Sequence, residues 1–154
     1  MSFPPRLVVF CGLPGSGKTT AARALAPTMS AVRFCPDEWF AALNLDIWDE
    51  ALRARIEATQ WGLAQDLLRL GVNVIVEFGS WAREERDVLR EGARAIGAQV
   101  ELRYLDAPLD ELYRRVTERG GMDPPMTRAN FDEWAAIIQV PTPAELALFD
   151  TPLA

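Results

Sequence analysis

Gly12-Leu13-Pro14-Gly15-Ser16-Gly17-Lys18-Thr19 decides how this chain is read. The stretch fits G-x-x-x-x-G-K-[ST] at every fixed position, the pattern of a loop that holds phosphate. Its glycines let the backbone curl so that successive N–H groups point into one concavity. In such a loop the Lys18 ammonium spans the β- and γ-phosphates of a nucleotide, and the Thr19 hydroxyl holds Mg²⁺.

The flanks supply the context the motif needs. Arg6-Leu7-Val8-Val9-Phe10-Cys11 reads as a buried strand. Thr20-Ala21-Ala22-Arg23-Ala24-Leu25-Ala26 reads as a helix stopped by Pro27. The helix N-terminus then faces the phosphates with its positive end.

Further along, three more strand candidates alternate with helices, which predicts an α/β domain with a mostly parallel sheet. They are 31–35, 72–77 and 100–105. The first and third strands in chain order are nearly continuous apolar runs, as expected of strands covered on both faces. The second is short and carries Arg33. The fourth alternates Val100, Leu102 and Tyr104 with Glu101 and Arg103, which predicts one partly wet face. The order 2-3-1-4 follows, with helices on both sides in three α/β/α layers and no fifth strand.

The predicted helices are about 49–70, with Leu52, Ile56, Leu63, Leu67 and Leu70 as its stripe; about 82–96, with Val88, Leu89, Gly92 and Ile96; and 109–119 after Pro108. A last helix starts at a Thr127 cap and reaches about Gln139, and the proline-rich tail from Pro141 packs irregularly. The whole of 1–154 reads as one domain, with a lid region at about 112–130.

Bulk composition narrows the function classes. The chain has 154 residues, nearly half of them hydrophobic, a formal net charge of −6 and no histidine. Without imidazole, a general base has to be a carboxylate or another group. The acidic balance argues against nucleic acid as a partner, because phosphate backbones need clustered Lys and Arg. Cys11 and Cys35 read as reduced core thiols rather than a disulfide or metal pair. No leader-like or membrane-spanning run is found, so the expected location is cytoplasmic.

In open parallel sheets, ligands sit beyond the carboxyl ends of the strands. Asp37, Glu77 and the phosphate loop all fall there. Asp37 suits a base that takes the proton of an attacking hydroxyl, and it equally suits a cap for a short helix over 38–43. Glu77 ends an apolar run, where a carboxylate needs a partner. It orders metal-bound water, touches an acceptor, or reaches solvent. Arg115 and Arg119 share a helix face; they close over a nucleotide or pair with Glu111 and Glu118 in solvent. Trp39 and Trp81 follow the second and third strands, where they line an acceptor pocket or pack in the core.

With these residues laid out, the chain resembles small P-loop kinases, in the group of AAA-type ATP-binding proteins that includes polynucleotide kinase domains. Chloramphenicol phosphotransferase, gluconate kinase and zeta toxins are more distant relatives. The resemblance spans about residues 6–140 and implies a P-loop NTPase fold. It implies ATP and Mg²⁺ as cofactors and a small-molecule hydroxyl as acceptor. The segment 112–120 looks like the family's R-x-x-x-R lid helix, which implies that Arg115 and Arg119 contact ATP phosphates. Asp37 falls where the polynucleotide kinase has its general base. Glu77-Phe78-Gly79-Ser80-Trp81 replaces an Asp-Thr-Asn segment, so Glu77 stands where the family has Asp. The site expected on this basis is Gly12 to Thr20 around the nucleotide, Lys18, Asp37, Arg115 and Arg119 in catalysis, and Thr19 and, through water, Glu77 at the metal. Glu38, Trp39, Glu77, Ser80, Trp81 and Arg86 are the expected acceptor pocket.

Overall fold

The structure is a computed structural model that describes residues 3–153. Chain order is β1 (Arg6–Cys11), α1 (Lys18–Thr28), β2 (Ala31–Phe34), α2 (Pro36–Ala42), α3 (Glu50–Arg69) and β3 (Asn73–Gly79). Then come α4 (Arg83–Ile96), β4 (Gln99–Tyr104), α5 (Leu109–Arg119), α6 (Arg128–Ile137) and α7 (Pro143–Leu146).

The four strands form one sheet in the order β2-β3-β1-β4, and all three pairings are parallel. Every residue of β1 is buried. The two-residue alternation of a strand sends its side chains to opposite faces. Leu7, Val9 and Cys11 pack with Ala64 and Leu68 of α3 and Leu89 and Ala93 of α4. Val8 and Phe10 pack with Ile75 and Ala22 under α1. This gives the three α/β/α layers. A third cluster, Leu13, Leu112, Val116 and Phe131, ties α5 and α6 to the phosphate loop. No helix among the described residues is long and apolar enough to cross a membrane.

Several local expectations are corrected. The helix after the loop runs through Pro27 to Thr28. Pro27 is exposed in the last turn, where its missing N–H costs one helical hydrogen bond. The core side of α3 is Ile56, Gln60, Ala64 and Leu68, while Leu63 and Leu70 are exposed. Likewise α4 buries Arg86, Leu89 and Ala93 and exposes Val88. The cause is close helix approach. Ala64 and Ala93 join the buried core, and a Cβ on Gly92 would lie 2.7 Å from the Trp61 indole.

The partly wet face expected for β4 is dry at Glu101 only, and Arg103 on the same face stays partly exposed. Glu101 is fully buried, held by Arg6 at 2.5 Å and Arg103 at 2.7 Å. The tail covers this edge: the Asp150 N–H donates to the Val100 carbonyl (2.8 Å), and the Leu153 N–H to Glu101 Oε2 (3.2 Å). An edge strand left open is a pairing hazard, and this segment covers it without forming a fifth strand. The tail also contains α7, capped by the Thr142 hydroxyl.

Candidate active site

The loop between β1 and α1 is held from three sides. The Gly12 N–H donates to the Gly79 carbonyl at 3.1 Å, and Gly15 and Gly17 have φ of 81° and 97°. A Cβ on Gly12 would lie 2.6 Å from both the Leu105 carbonyl and Ser16 Oγ. On Gly15 it would lie 2.8 Å from the Leu112 carbonyl, so the glycine lets α5 sit directly on the loop. Leu13 and Ser16 are buried, and Leu13 joins the α5–α6 cluster. Gly12, Pro14, Gly15, Gly17, Lys18, Thr19 and Thr20 face a cavity of about 470 Å³.

Lys18 Nζ folds back onto the Gly12 carbonyl (2.8 Å) and the Leu13 carbonyl (3.0 Å). Burial pulls its ammonium down to about 8; the charges of Asp37 and Glu77 oppose this, Asp37 most. Thr19 Oγ1 donates to Glu77 Oε1 at 2.7 Å, and Arg33 Nε donates to Glu77 Oε2 at 2.9 Å. The Glu77 side chain is 1% exposed. Its charge is tolerable at the end of an apolar strand because both oxygens have partners. Arg33 also binds Glu38, which Arg23 holds from the other side. Among the described residues no three His, Cys, Asp or Glu side chains converge as a metal set. The donor set that fits Mg²⁺ here is an oxygen pair, Thr19 and Glu77, to be completed by phosphates and water.

Asp37 sits in the first turn of α2. The helix cap is Cys35, with no side-chain cap bond, so capping is not the Asp37 role. Its carboxylate takes a 2.8 Å hydrogen bond from Arg53 of α3 and stays half-exposed toward the cavity. Arg53 is itself stacked 4.9 Å over the Phe40 ring.

The expected pocket residues divide. Glu77, Ser80 and Trp81 line the cavity. Trp81 Nε1 donates to the Gly12 carbonyl at 3.1 Å, binding the pocket wall to the phosphate loop. Glu38, Trp39 and Arg86 lie outside the lining. Trp39 packs edge-on against Phe34 in the main core. Arg86 is buried by a two-pronged pair with Glu145 of α7 at 2.7 and 2.8 Å, and it donates to the Ser80 and Trp81 carbonyls. It therefore holds the turn that carries Trp81 rather than meeting a ligand. Of the two α5 arginines expected at the phosphates, Arg119 lines the cavity. Arg115 binds the Gly15 carbonyl (3.0 Å) and Glu111 (2.9 Å) on the outer side of the loop. The pairing with Glu111 is shared by Arg114, and these contacts hold the Glu111 carboxyl down at about 2.

Sequence reasoning missed Arg53, Glu57, Glu85, Trp48 and Trp134, all of which line the cavity. A signal was present for part of this set: Glu50, Arg53 and Glu57 recur at helical spacing, so they share one face. Trp48 and Trp134 had none, because only tertiary folding brings the loop before α3 against α6. Their rings stack at 6.4 Å, and Trp134 lies 5.9 Å from Trp81. Both cysteines are free and buried, and burial pushes each thiol up to about 11.

Known proteins share this arrangement to different degrees. A curated "Nucleotide-binding protein" of Anaeromyxobacter dehalogenans (strain 2CP-C) is 33% identical over 114 residues, covering 74% of this chain and 34% of that protein. Among solved structures, a chain of the Pnkp1/Rnl/Hen1 RNA repair complex shares the fold at a TM-score of 0.76 and 21% identity, over 97% of this chain and 48% of that one. A sugar kinase from Janibacter sp. HTCC2649 matches at 27% identity and a TM-score of 0.69, over 92% of this chain and 82% of that one. This chain thus spans about a third of the curated relative and about half of the repair-complex chain. With its phosphate loop, parallel sheet and kinase neighbours, the chain is a kinase-like P-loop domain and belongs to the AAA domain family AAA_33, whose model matches residues 7–143.

Proposed function

We propose that this domain is an ATP- and Mg²⁺-dependent kinase that transfers the γ-phosphoryl group to a hydroxyl of a small molecule. One observation carries the reading: the phosphate loop, Asp37 and the aromatic wall border the same cavity. A nucleotide and an acceptor would meet there without crossing solvent.

The backbone N–H groups of 13–19 and Lys18 hold the β- and γ-phosphates, with Thr20 at an α-phosphate oxygen. Lys18 leaves its two carbonyl partners and moves to phosphate oxygens, which keep it protonated. Thr19 and, through water, Glu77 would hold Mg²⁺, which would neutralise the charge that builds in transfer. Asp37, positioned by Arg53, accepts the hydroxyl proton as the acceptor oxygen bonds to the γ-phosphorus. The bond from that phosphorus to the β–γ bridging oxygen breaks, and ADP leaves with the electron pair. Arg119, on a lid made from about 112–130, stabilises the transferring group. Arg115 acts with it after releasing the Gly15 carbonyl.

Asp37→Asn tests the base. Turnover should fall by about 10²- to 10⁴-fold while MgATP affinity stays within a few-fold; unchanged turnover would remove Asp37 from that role. A second reading is favoured by the repair-complex neighbour: phosphorylation of a polynucleotide 5′-hydroxyl. The net charge of −6 works against a strand-binding channel. Labelled phosphate transferred to a 5′-hydroxyl oligonucleotide, and to no small hydroxyl compound, would select it. ATP hydrolysis that no acceptor accelerates would instead point to a nucleotide-binding regulator.

A further inference from the structure

The acceptor end of the cavity has a chemistry of its own. Trp48, Trp81 and Trp134 form one connected aromatic surface, with Met122 and Met126 beside it. Trp48 is fixed by its indole N–H, which donates to the Pro124 carbonyl at 2.7 Å. Glu57 and Glu85 line the same cavity. Neither carboxylate forms an ion pair or side-chain hydrogen bond among the described residues, unlike Asp37 with Arg53 and Glu77 with Arg33. Ser80 Oγ is a second independent sign. Ser80 also lines the cavity and is 1% exposed, yet its hydroxyl has no partner among the described residues, and its φ of 51° is left-handed. A buried hydroxyl left unpaired at a strained position is a group that a ligand or an ordered water would satisfy.

The cations in the cavity are already engaged. Lys18 and Arg119 serve the phosphates in the kinase reading, and Arg53 is held by Asp37 and Phe40. Arg53 acts on Glu57 and Arg86 on Glu85 only through space, each being paired to another carboxylate, so nucleotide binding leaves the half-buried Glu57 and the exposed Glu85 without an ion-pair partner of their own. Resting on that reading, we propose that the phosphoryl acceptor is an amine-bearing hydroxyl compound with a ring or apolar face. Its ammonium sits between Glu57 and Glu85, its ring lies on the tryptophan wall, and its hydroxyl is directed to Asp37.

Tryptophan faces attract organic cations, and carboxylates supply the charge-assisted hydrogen bonds. A bare metal ion fits less well, since an aromatic wall offers it no oxygen ligands. Burial, with Glu85 and Asp37 nearby, holds the Glu57 carboxyl up at about 7 against the opposing charge of Arg53, a cost an arriving ammonium relieves.

Matched probes separate the ammonium from shape. Binding of 2-amino-1-phenylethanol and of 1-phenyl-1,2-ethanediol is measured by tryptophan fluorescence with a non-hydrolysable MgATP analogue present. Glucosamine and glucose form a second pair. The amine of at least one pair should bind on the order of 10-fold or more tightly than its neutral partner. The gap should vanish in Glu57→Gln/Glu85→Gln, with circular dichroism confirming the fold. Equal binding within both pairs, absence of amine binding, or a gap that survives in the double variant overturns the proposal. So does quenching by Mg²⁺ alone that the double variant abolishes. With ATP in place of the analogue, the bound amines are assayed for phosphorylated product. Amine binding that the double variant abolishes, without such product, would uphold the ammonium site and remove the kinase reading. Equal phosphorylation of amines and neutral partners would do the reverse.

Discussion

Arg86→Ala should unfold this domain far more readily than its place outside the cavity lining suggests. The Arg86 and Glu145 side chains are 1% and 2% exposed and meet through two hydrogen bonds of 2.7 and 2.8 Å. Truncating the arginine leaves the buried carboxylate with only the half-exposed Arg83, 3.9 Å away, as countercharge, and losing the close partner of a buried pair costs about 3–5 kcal/mol. The Ser80 and Trp81 carbonyls lose a donor as well. At about 2–4 °C per kcal/mol for a domain of this size, the midpoint should fall by roughly 10 °C. Urea and thermal melts read this directly. The control is Arg86→Met/Glu145→Leu, which removes both charges and keeps volume; it should lie much closer to the parent, because an apolar pair often replaces a buried ion pair at little cost. An Arg86→Ala loss below about 1 kcal/mol, or a double variant as unstable as the single, would refute the reasoning.

Other outcomes follow from the cavity and its loop. Glu57→Gln should stabilise the ligand-free protein in a pH-dependent way. The folded carboxyl titrates near 7 against 4.5 when unfolded, so its burden is absent below pH 4.5, grows through that window and is complete above pH 7. Discounted for its partial exposure, the gain above pH 7 is about 1–2 kcal/mol, seen as a midpoint difference that disappears at low pH; a gain independent of pH would contradict it. Gly15→Ala combines a φ of 81° with a Cβ only 2.8 Å from the Leu112 backbone carbonyl. It should cost about 1–3 kcal/mol and push α5 off the phosphate loop, detected as lower denaturant resistance together with weaker MgATP binding. A neutral result at both readouts would mean that α5 is not held by that contact.

Much of the fold was legible because the sheet is covered on both faces. The apolar runs of β1 and β3 and the textures of β2 and β4 predicted the strand order that the structure has. The phosphate loop was legible because the groups expected to hold phosphate all lie within eight residues, although its shape is also fixed by the distant Gly79, Leu105 and Leu112 carbonyls. What stayed hidden depended on distant chain. Glu101 reads as solvent-facing until residues 150–153 fold over it, and Arg86 reads as a pocket residue until Glu145 arrives from a tail with no clear periodicity. The core stripe of α3 was misplaced because large leucines outweighed Ala64, whereas close packing of α3 on α4 favours the small side chain. The aromatic half of the cavity joins residues 48, 81 and 134, a juxtaposition that no spacing rule encodes.

The central claim is that the turn from β1 into α1 grips a nucleotide triphosphate, and calorimetric titration tests it most directly. MgATP titrated into the parent protein should bind at a single site. Lys18→Ala should weaken that binding by about 10-fold or more, in keeping with loss of a charge-assisted contact to phosphate. No binding of any adenine or guanine nucleotide with Mg²⁺ present, or equal affinity in parent and Lys18→Ala, would contradict the account.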